Sequence, residues 1–167
     1  LRQTQASCSF LSISGASAPG SSPRSPILPQ DFQILDSDDQ QRLVKRVIRE
    51  LGLDEQRWPA RQAQWFINGQ KDEGLRPQHI QPGGDLFLAT MLKIYEAYEA
   101  ACARAGVIDF SELLLRALDL WRDHPGVLEH YQRRFRHILV DEFQDTNAVQ
   151  YAWLRILAKG EIGRAHV

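Results

Sequence analysis

The sequence predicts a mainly α-helical chain with one buried parallel strand, a piece of a larger α/β protein dominated by a helical insertion. Three observations predict it. Apolar residues recur at helical spacing in successive segments from Asp36 onward. One short run, His137-Ile138-Leu139-Val140, instead has the continuous, β-branched apolar character of a strand buried on both faces. Such a strand needs neighbours, and five helices, one strand and one further helix cannot close a parallel sheet.

The elements follow in order. Ser37 with Gln40 fits a capping box, and Leu43, Val44, Val47, Ile48 and Leu51 then form one apolar stripe that stops at Gly52. Pro59 suits the first position of a second, shorter helix, which carries Trp65, Phe66 and Ile67 and ends near Gly74. Pro77 and the Pro82-Gly83-Gly84 cluster mark a loop. A third, long helix runs from about Asp85 to Ala105, with Leu88, Leu92, Tyr95, Tyr98 and Cys102 on one face and Gly106 as its stop. Asp109 and Glu112 begin a fourth, which continues through Leu113, Leu114, Ala117, Leu118 and Trp121 to Pro125. Val127, Leu128, Tyr131 and Phe135 give a fifth; after the strand, Ala148 to Ala158 returns to helix with Val149, Trp153, Leu154 and Leu157 inward.

Composition bounds the function. The 167 residues are 43% hydrophobic and 25% charged, which suits one domain of ordinary size and not two large ones. No run approaches the roughly 18 to 20 apolar residues of a membrane span. A net charge of -1 argues against a broadly polybasic protein, while leaving room for a local nucleic-acid groove. Two cysteines, Cys8 and Cys102, cannot make a disulfide framework, and no secretory signal pattern occurs, so a reducing cytosol is expected. The averages hide a shift: residues 1–30 hold eight Ser, four Pro and no acidic residue, so the remainder carries all 21 acidic against 18 basic residues. That head reads as disordered or frameshifted sequence, over about residues 1–27.

The chemistry sits after the strand. Ile138-Leu139-Val140-Asp141-Glu142 is an apolar run ending in adjacent carboxylates, the Walker B arrangement of nucleotide hydrolases. Open α/β sheets bind ligands beyond the carboxyl ends of their strands, so the strand would deliver these acids to the phosphates. Asp141 would hold Mg²⁺, through a water ligand, and Glu142 would orient or deprotonate the attacking water. Alternation along a strand makes that division of roles reasonable. An acidic pair after a short apolar run also arises by chance, and the longer string Asp141-Glu142-Phe143-Gln144-Asp145-Thr146-Asn147 decides between the readings.

That string resembles the signature of UvrD/Rep-type superfamily 1 DNA helicases. Leu28 to Asp36, Gln70 to Leu75, and Ala105 to Phe110 followed by Glu112-Leu113-Leu114 resemble the same family, the early segments being closer to its UvrD branch than to Rep. The resemblance covers about residues 28–160. It implies an ATP-driven 3′→5′ translocase with two RecA-like (P-loop NTPase) motor lobes, using ATP and Mg²⁺, acting on single-stranded DNA and single/double-strand junctions. It also implies a role in excision and mismatch repair, with repair proteins as partners, and a cytoplasmic, nucleoid-associated setting in bacteria. In that scheme residues 28–136 are the helical insertion of the first lobe and 137–160 its Walker B strand and following helix. The match carries Asp141 to Mg²⁺ and Glu142 to water activation. It gives Gln144 to γ-phosphate sensing, and leaves Asp145 and Thr146 to hold the loop.

Other features have plainer readings. Arg133, Arg134 and Arg136 could touch DNA phosphate, but a solvated helix end is the stronger interpretation. Trp65, Trp121 and Trp153 could stack on bases, yet each falls on an apolar helical stripe and reads as core. Asp109-Phe110 with Glu112 resembles a family motif facing DNA, and physically is a helix start. The His and Cys residues show no metal-ligand spacing.

A motor of this family also needs a phosphate loop of the G-x-x-x-x-G-K-[ST] type, and no such string occurs in the sequence. The second lobe with its arginine finger is not represented either. The expectation is a helicase fragment that alone neither hydrolyses ATP nor unwinds DNA. The alternative is a non-catalytic helical module, derived from a helicase, that binds DNA or a protein. Residues 161–167, Glu-Ile-Gly-Arg-Ala-His-Val, match a common sequencing-library adapter read in frame, so this tail is expected to be adapter-derived.

Overall fold

A computed structural model describes residues 32–158. The expectations for the head (1–27) and the tail (161–167) lie outside the described residues. The chain runs β1 (Gln33–Ile34), α1 (Ser37–Glu50), α2 (Ala60–Asp72), α3 (Leu86–Ala105), β2 (Val107–Ile108), α4 (Phe110–Asp123), α5 (Pro125–Arg134) and α6 (Ala148–Leu157). The six helices are those the apolar periodicity predicts. Their order in space is set by two apolar clusters.

The first cluster joins α1, α2 and α3. Val44, Val47 and Ile48 from α1, Ala63 and Ile67 from α2, and Ile94, Tyr95 and Tyr98 from α3 are fully enclosed. Trp58, in the α1–α2 loop, closes one side and stacks on Phe87 with ring centroids 5.3 Å apart. Each such aliphatic side chain contributes about 1.5–3 kcal/mol on burial. The second, smaller cluster joins α4, α5 and α6 through Trp121, Tyr131 and Leu157, with Trp153 packed against Trp121 at 4.4 Å. α4 also packs on α2, and so links the two clusters.

Helix ends follow local side-chain chemistry. Asp85 accepts hydrogen bonds from the backbone N–H groups of Phe87 (2.8 Å) and Leu88 (3.2 Å) to start α3. Gly106 ends that helix in the left-handed region, φ 66°, where a residue without Cβ is favoured. Asn147 and Gln150 form a reciprocal capping box on α6, at 2.8 and 3.1 Å. The start of α1 differs from expectation by one residue: Asp36, not Ser37, is the cap, its carboxylate taking the Asp39 N–H at 2.7 Å. Gln40 is consequently free of any capping role and is buried, its side-chain amide donating to Asn68 Oδ1 at 2.7 Å.

The sheet differs more. The parallel pair among the described residues is β1 with β2, in register Gln33↔Val107 and Ile34↔Ile108. The run His137–Val140, expected as the buried parallel strand, forms no ladder and is exposed, Leu139 at 94%. The physical reason is the one anticipated from its neighbours: a strand's main-chain groups need partners, and no described segment lies alongside to provide them. For the same reason the apolar faces of α4 and α6 are only half covered. Leu113, Leu114, Ala117, Leu118 and Leu154 are intermediate in exposure rather than buried. Among the described residues no helix is long and apolar enough to cross a membrane.

Candidate active site

The α5–α6 loop carries every residue that the sequence assigns to nucleotide chemistry. Asp141, Glu142, Gln144 and Asp145 are exposed and Thr146 half-buried. Asp141 turns its Oδ1 back to accept the Glu142 N–H at 3.0 Å. Glu142 then adopts the left-handed region, φ 50°, the one non-glycine among the described residues to do so. Phe143–Asp145 forms a single 3₁₀ turn, closed by Asp145 N–H donating to Glu142 O at 2.9 Å. Within it the Gln144 side-chain amide donates to the Glu142 carboxylate, and the Thr146 hydroxyl donates to Phe143 O. Asn147 then caps α6, which anchors the loop's far end through Val149 and Leu157.

The structure thus brings Glu142 and Gln144 together and sets Asp141 beside them on one open loop. A direct Gln144–Glu142 contact means that anything drawing on one side chain is felt by the other. Among the described residues no group of three or more His, Cys, Asp or Glu side chains is placed to cage a metal ion. One hard carboxylate with a second beside it suits a Mg²⁺ that keeps several waters and takes its other ligands from phosphate oxygens. The donor set fits that ion when it arrives with a nucleotide, and not as a resident structural metal.

The remaining sequence candidates scatter. Arg133 and Arg134 end α5, with Arg133 3.5 Å from Glu129 across one exposed helical turn, and Arg136 is likewise exposed. Trp121 is buried and Trp153 packs on it, as expected of core residues. Trp65 does not: it is 65% exposed, with the Arg61 guanidinium over its ring at 5.1 Å. α2 buries the face of Ala63, Gln64, Ile67 and Lys71, which turns Trp65 outward.

The group that sequence reasoning missed is Lys71. It is fully enclosed, its Nζ 2.7 Å from Asp109 Oδ2, 2.6 Å from Glu99 Oε1 and 3.4 Å from Glu112 Oε2. Asp109 does two things at once. Its Oδ1 accepts the Glu112 N–H at 2.7 Å and starts α4, while its Oδ2 takes Lys71 and the Tyr98 hydroxyl, the latter at 2.8 Å. Glu112 in turn receives Arg76 at 2.7 Å and Arg116 at 2.8 Å, and Arg76 reaches Asp119 at 2.8 Å. Burial alone would lower the Lys71 pKa, but Asp109, Glu99 and Glu112 outweigh it and hold the ammonium charged well above its ordinary range. Burial would raise Glu112, but Lys71, Arg76 and Arg116 together hold it below the usual carboxylate value. Glu99 moves the other way, raised by burial against the pull of Lys71. Burial also pushes the nearby Cys102 thiol up to about 12.

Asp109 and Glu112 are therefore buried structural anchors, while Phe110 between them is 65% exposed. A lone Lys in an otherwise polar-looking stretch, Gln70-Lys71-Asp72-Glu73, gives no periodic signal of burial. Its partners lie 28, 38 and 41 positions away, beyond any local pattern.

The chain belongs to the UvrD/REP helicase N-terminal domain family, whose profile matches residues 8–163. This is the family to which the Asp141–Asn147 string pointed. Over 140 residues, 84% of this chain, it is 61% identical to the DNA helicase II proteins of Salmonella typhimurium and of Escherichia coli. It is 52% identical to the DNA helicase II of Haemophilus influenzae over the same share. The chain spans about a fifth of the length of these relatives, 19% in each case.

Proposed function

We propose that this chain is the part of an ATP-dependent 3′→5′ DNA helicase of the UvrD type that presents the hydrolytic carboxylates. The observation that carries the reading is the Asp141–Asn147 loop, where two adjacent exposed acids and an amide in direct contact with the second stand at the end of an apolar run. Residues 28–136 are then the helical insertion of the first RecA-like lobe, and 137–160 the Walker B segment and following helix. DNA is the substrate of the parent protein, with repair proteins as partners in excision and mismatch repair.

In this scheme Mg²⁺ supplies charge neutralisation and a fixed geometry for the nucleotide phosphates. Asp141 would hold the ion. Glu142 accepts a proton from, or orients, the attacking water, whereas Asp141 already has one oxygen turned back on the Glu142 backbone N–H. Gln144, by donating to Glu142, sets the direction of that carboxylate and reports whether a γ-phosphate is present. Asp145 and Thr146 hold the turn. Main-chain amides and a lysine from a phosphate loop complete the site, and no string of that type occurs in these 167 residues.

Two measurements test the reading. The purified 167-residue chain is expected to show no DNA-stimulated ATP hydrolysis, and a measurable rate overturns the assignment of the chain as an incomplete site. In a protein carrying this sequence together with a phosphate loop and a second lobe, Glu142→Gln lowers kcat for ATP by about 10²-fold or more while nucleotide binding persists. An E142Q protein with unchanged kcat rejects the catalytic role.

A further inference from the structure

The stretch Gln70 to Leu75 supplies no group to the hydrolytic scheme, yet the end of α2 is tied down there on several sides. The helix stops at Gly74, φ 78°, a left-handed conformation that favours a residue without Cβ. Gly74 N–H donates to Lys71 O at 2.9 Å and Leu75 N–H to Gln70 O at 2.8 Å, the paired bonds of a Schellman turn. Side chains then fix that turn to its neighbours. Lys71 holds Glu99 of α3 together with Asp109 and Glu112, where α4 begins. Asp72 accepts the Ser111 hydroxyl at 3.2 Å, and Leu75 O accepts the Tyr95 hydroxyl at 3.1 Å. These partners all lie within residues 70–112, so the position of the turn is set inside the helical body.

α6 is seated on this turn. Val149, near its start, is buried, and a methyl group placed on Gly74 would stand 3.8 Å from Val149 Cγ2. The carboxylate loop is in turn aligned to α6. Asn147 caps that helix, and the Phe143 ring meets the Tyr151 ring edge-on with centroids 6.1 Å apart. By contrast, the hydrogen bonds of Asp141 to Thr146 among the described residues run only within the loop. On its C-terminal side, the loop therefore finds its first fixed point where Val149 meets the end of α2.

We infer that Val149 and Gly74 are positioning residues for ATP hydrolysis: the end of α2 sets where α6 begins, and so the direction in which the 3₁₀ turn presents Glu142 and Gln144. The inference rests on the hydrolytic reading of Glu142 and adds the body to which that carboxylate is aligned. Both residues act through the loop, not on the nucleotide. Displacing a reacting group by about 1 Å can cost about 10²-fold in rate. If Val149 merely added buried apolar area, any equally buried Val would matter as much for activity.

Steady-state ATPase kinetics test the inference in a protein carrying this sequence together with a phosphate loop and a second lobe. Val149→Ala should lower kcat about tenfold and leave KM for ATP within about twofold, the pattern of a defect confined to the chemical step. V149I, which keeps the β-branched side chain on the turn, should retain the parent kcat. Val47→Ala is the matched control, because it removes the same two carbons from an equally buried Val in the α1–α3 cluster. It should lower the melting temperature and keep kcat within about twofold. Gly74→Val approaches the contact from the other side. A β-branched residue resists φ 78° and crowds Val149, so kcat should again fall about tenfold. Gly74 is only half-buried, so G74V carries the test alone if V149A fails to fold. A parent-like kcat in folded V149A or G74V overturns the inference, and so does a V47A protein slowed as much as V149A. An unchanged kcat in E142Q removes the hydrolytic reading itself. A slowed E142Q protein beside unaffected V149A and G74V proteins removes the positioning inference alone.

Discussion

Lys71 is the residue on which the fold turns, because one ammonium contacts three carboxylates drawn from α3, the α4 cap and α4 itself. Replacing it with Met keeps the volume and leaves Asp109, Glu99 and Glu112 facing one another in a dry site. Removing one partner of a buried ionic cluster costs about 3–5 kcal/mol, and urea denaturation of Lys71→Met should show a loss of that order. The pH dependence follows from the directions of the shifts. Glu112 is held below its ordinary 4.5, so its contribution is present above that pH and is lost as pH falls through the lower folded-state value. Glu99, raised by burial, works oppositely and softens the acid loss. Lys71, raised, contributes fully below 10.5 and loses its contribution only as pH rises through its higher folded-state value. Stability from this cluster is therefore flat through neutral pH and falls in acid. In Lys71→Met the acid loss becomes shallower, since protonating Asp109 and Glu99 then relieves repulsion while Glu112 keeps Arg76 and Arg116. Denaturation midpoints measured from about pH 3 to pH 10 distinguish the two profiles. A variant whose midpoint falls in acid as steeply as that of the parent would show that Lys71 is not the charge Asp109 and Glu99 depend on.

At the scale of elements, what the sequence made legible was every helix and most of its ends. Apolar spacing, Asp and Asn caps and one left-handed glycine are local signals, and local signals survive even where a neighbour is wanting. What was not legible depended on distant partners. The outward turn of Trp65 comes from Lys71 being inward on the same helix, and nothing near either residue announces it. The segment 137–140 reads as a buried strand from composition but is exposed and forms no ladder, because no strand lies beside it among the described residues. β1 and β2 are two residues each, too short for a periodic signal, and pair only because α3 returns the chain beside its start. The loop chemistry was legible as a string of residue types, whereas the contact between Gln144 and Glu142 emerged only with the turn that joins them. The α4–α6 contact offers a direct check on packing against polarity. The indole N–H groups of Trp121 and Trp153 are both buried, and neither has a hydrogen-bond partner among the described residues. Trp153 is therefore held by ring packing on Trp121, so Trp153→Phe, which keeps one aromatic ring and loses part of the volume, should cost less than Trp153→Ala. Trp153→Ala should cost about 3 kcal/mol, as large-to-small aromatic changes do. Thermal melts followed by the near-ultraviolet signal of Trp121 read both, and an equal loss in the two variants would mean that the N–H is engaged after all.

Across the whole molecule, the two apolar clusters are unequal and joined at α4. Among the described residues the α1–α3 cluster holds thirteen buried side chains, while the α4–α6 cluster has three. Local opening free energies follow buried apolar contact, so the second cluster should open well below the global unfolding free energy. Hydrogen exchange followed residue by residue should find the slowest amides in α1 and α3 and faster ones in α5 and α6. α4 is the informative element, because its first turn is bound to α2 and α3 through Asp109 and Glu112 while its last turn packs on Trp153 through Trp121. Protection should accordingly fall along α4 from Glu112 toward Trp121. Lys71→Met should erase that gradient by releasing the first turn, whereas Trp121→Ala should speed exchange in α5 and α6 and leave α1 and α3 as they were. Uniform acceleration of all six helices in Trp121→Ala would instead mean one cooperative unit, with α4 transmitting every loss. On the two-cluster description, the loop bearing Asp141 and Glu142 is tethered at both ends to the weaker body. Whatever covers the open faces of α4 and α6 then sets the rigidity of the carboxylates, which is why stabilising α5 and α6 should slow exchange at Asp145 N–H, the hydrogen bond that closes the turn.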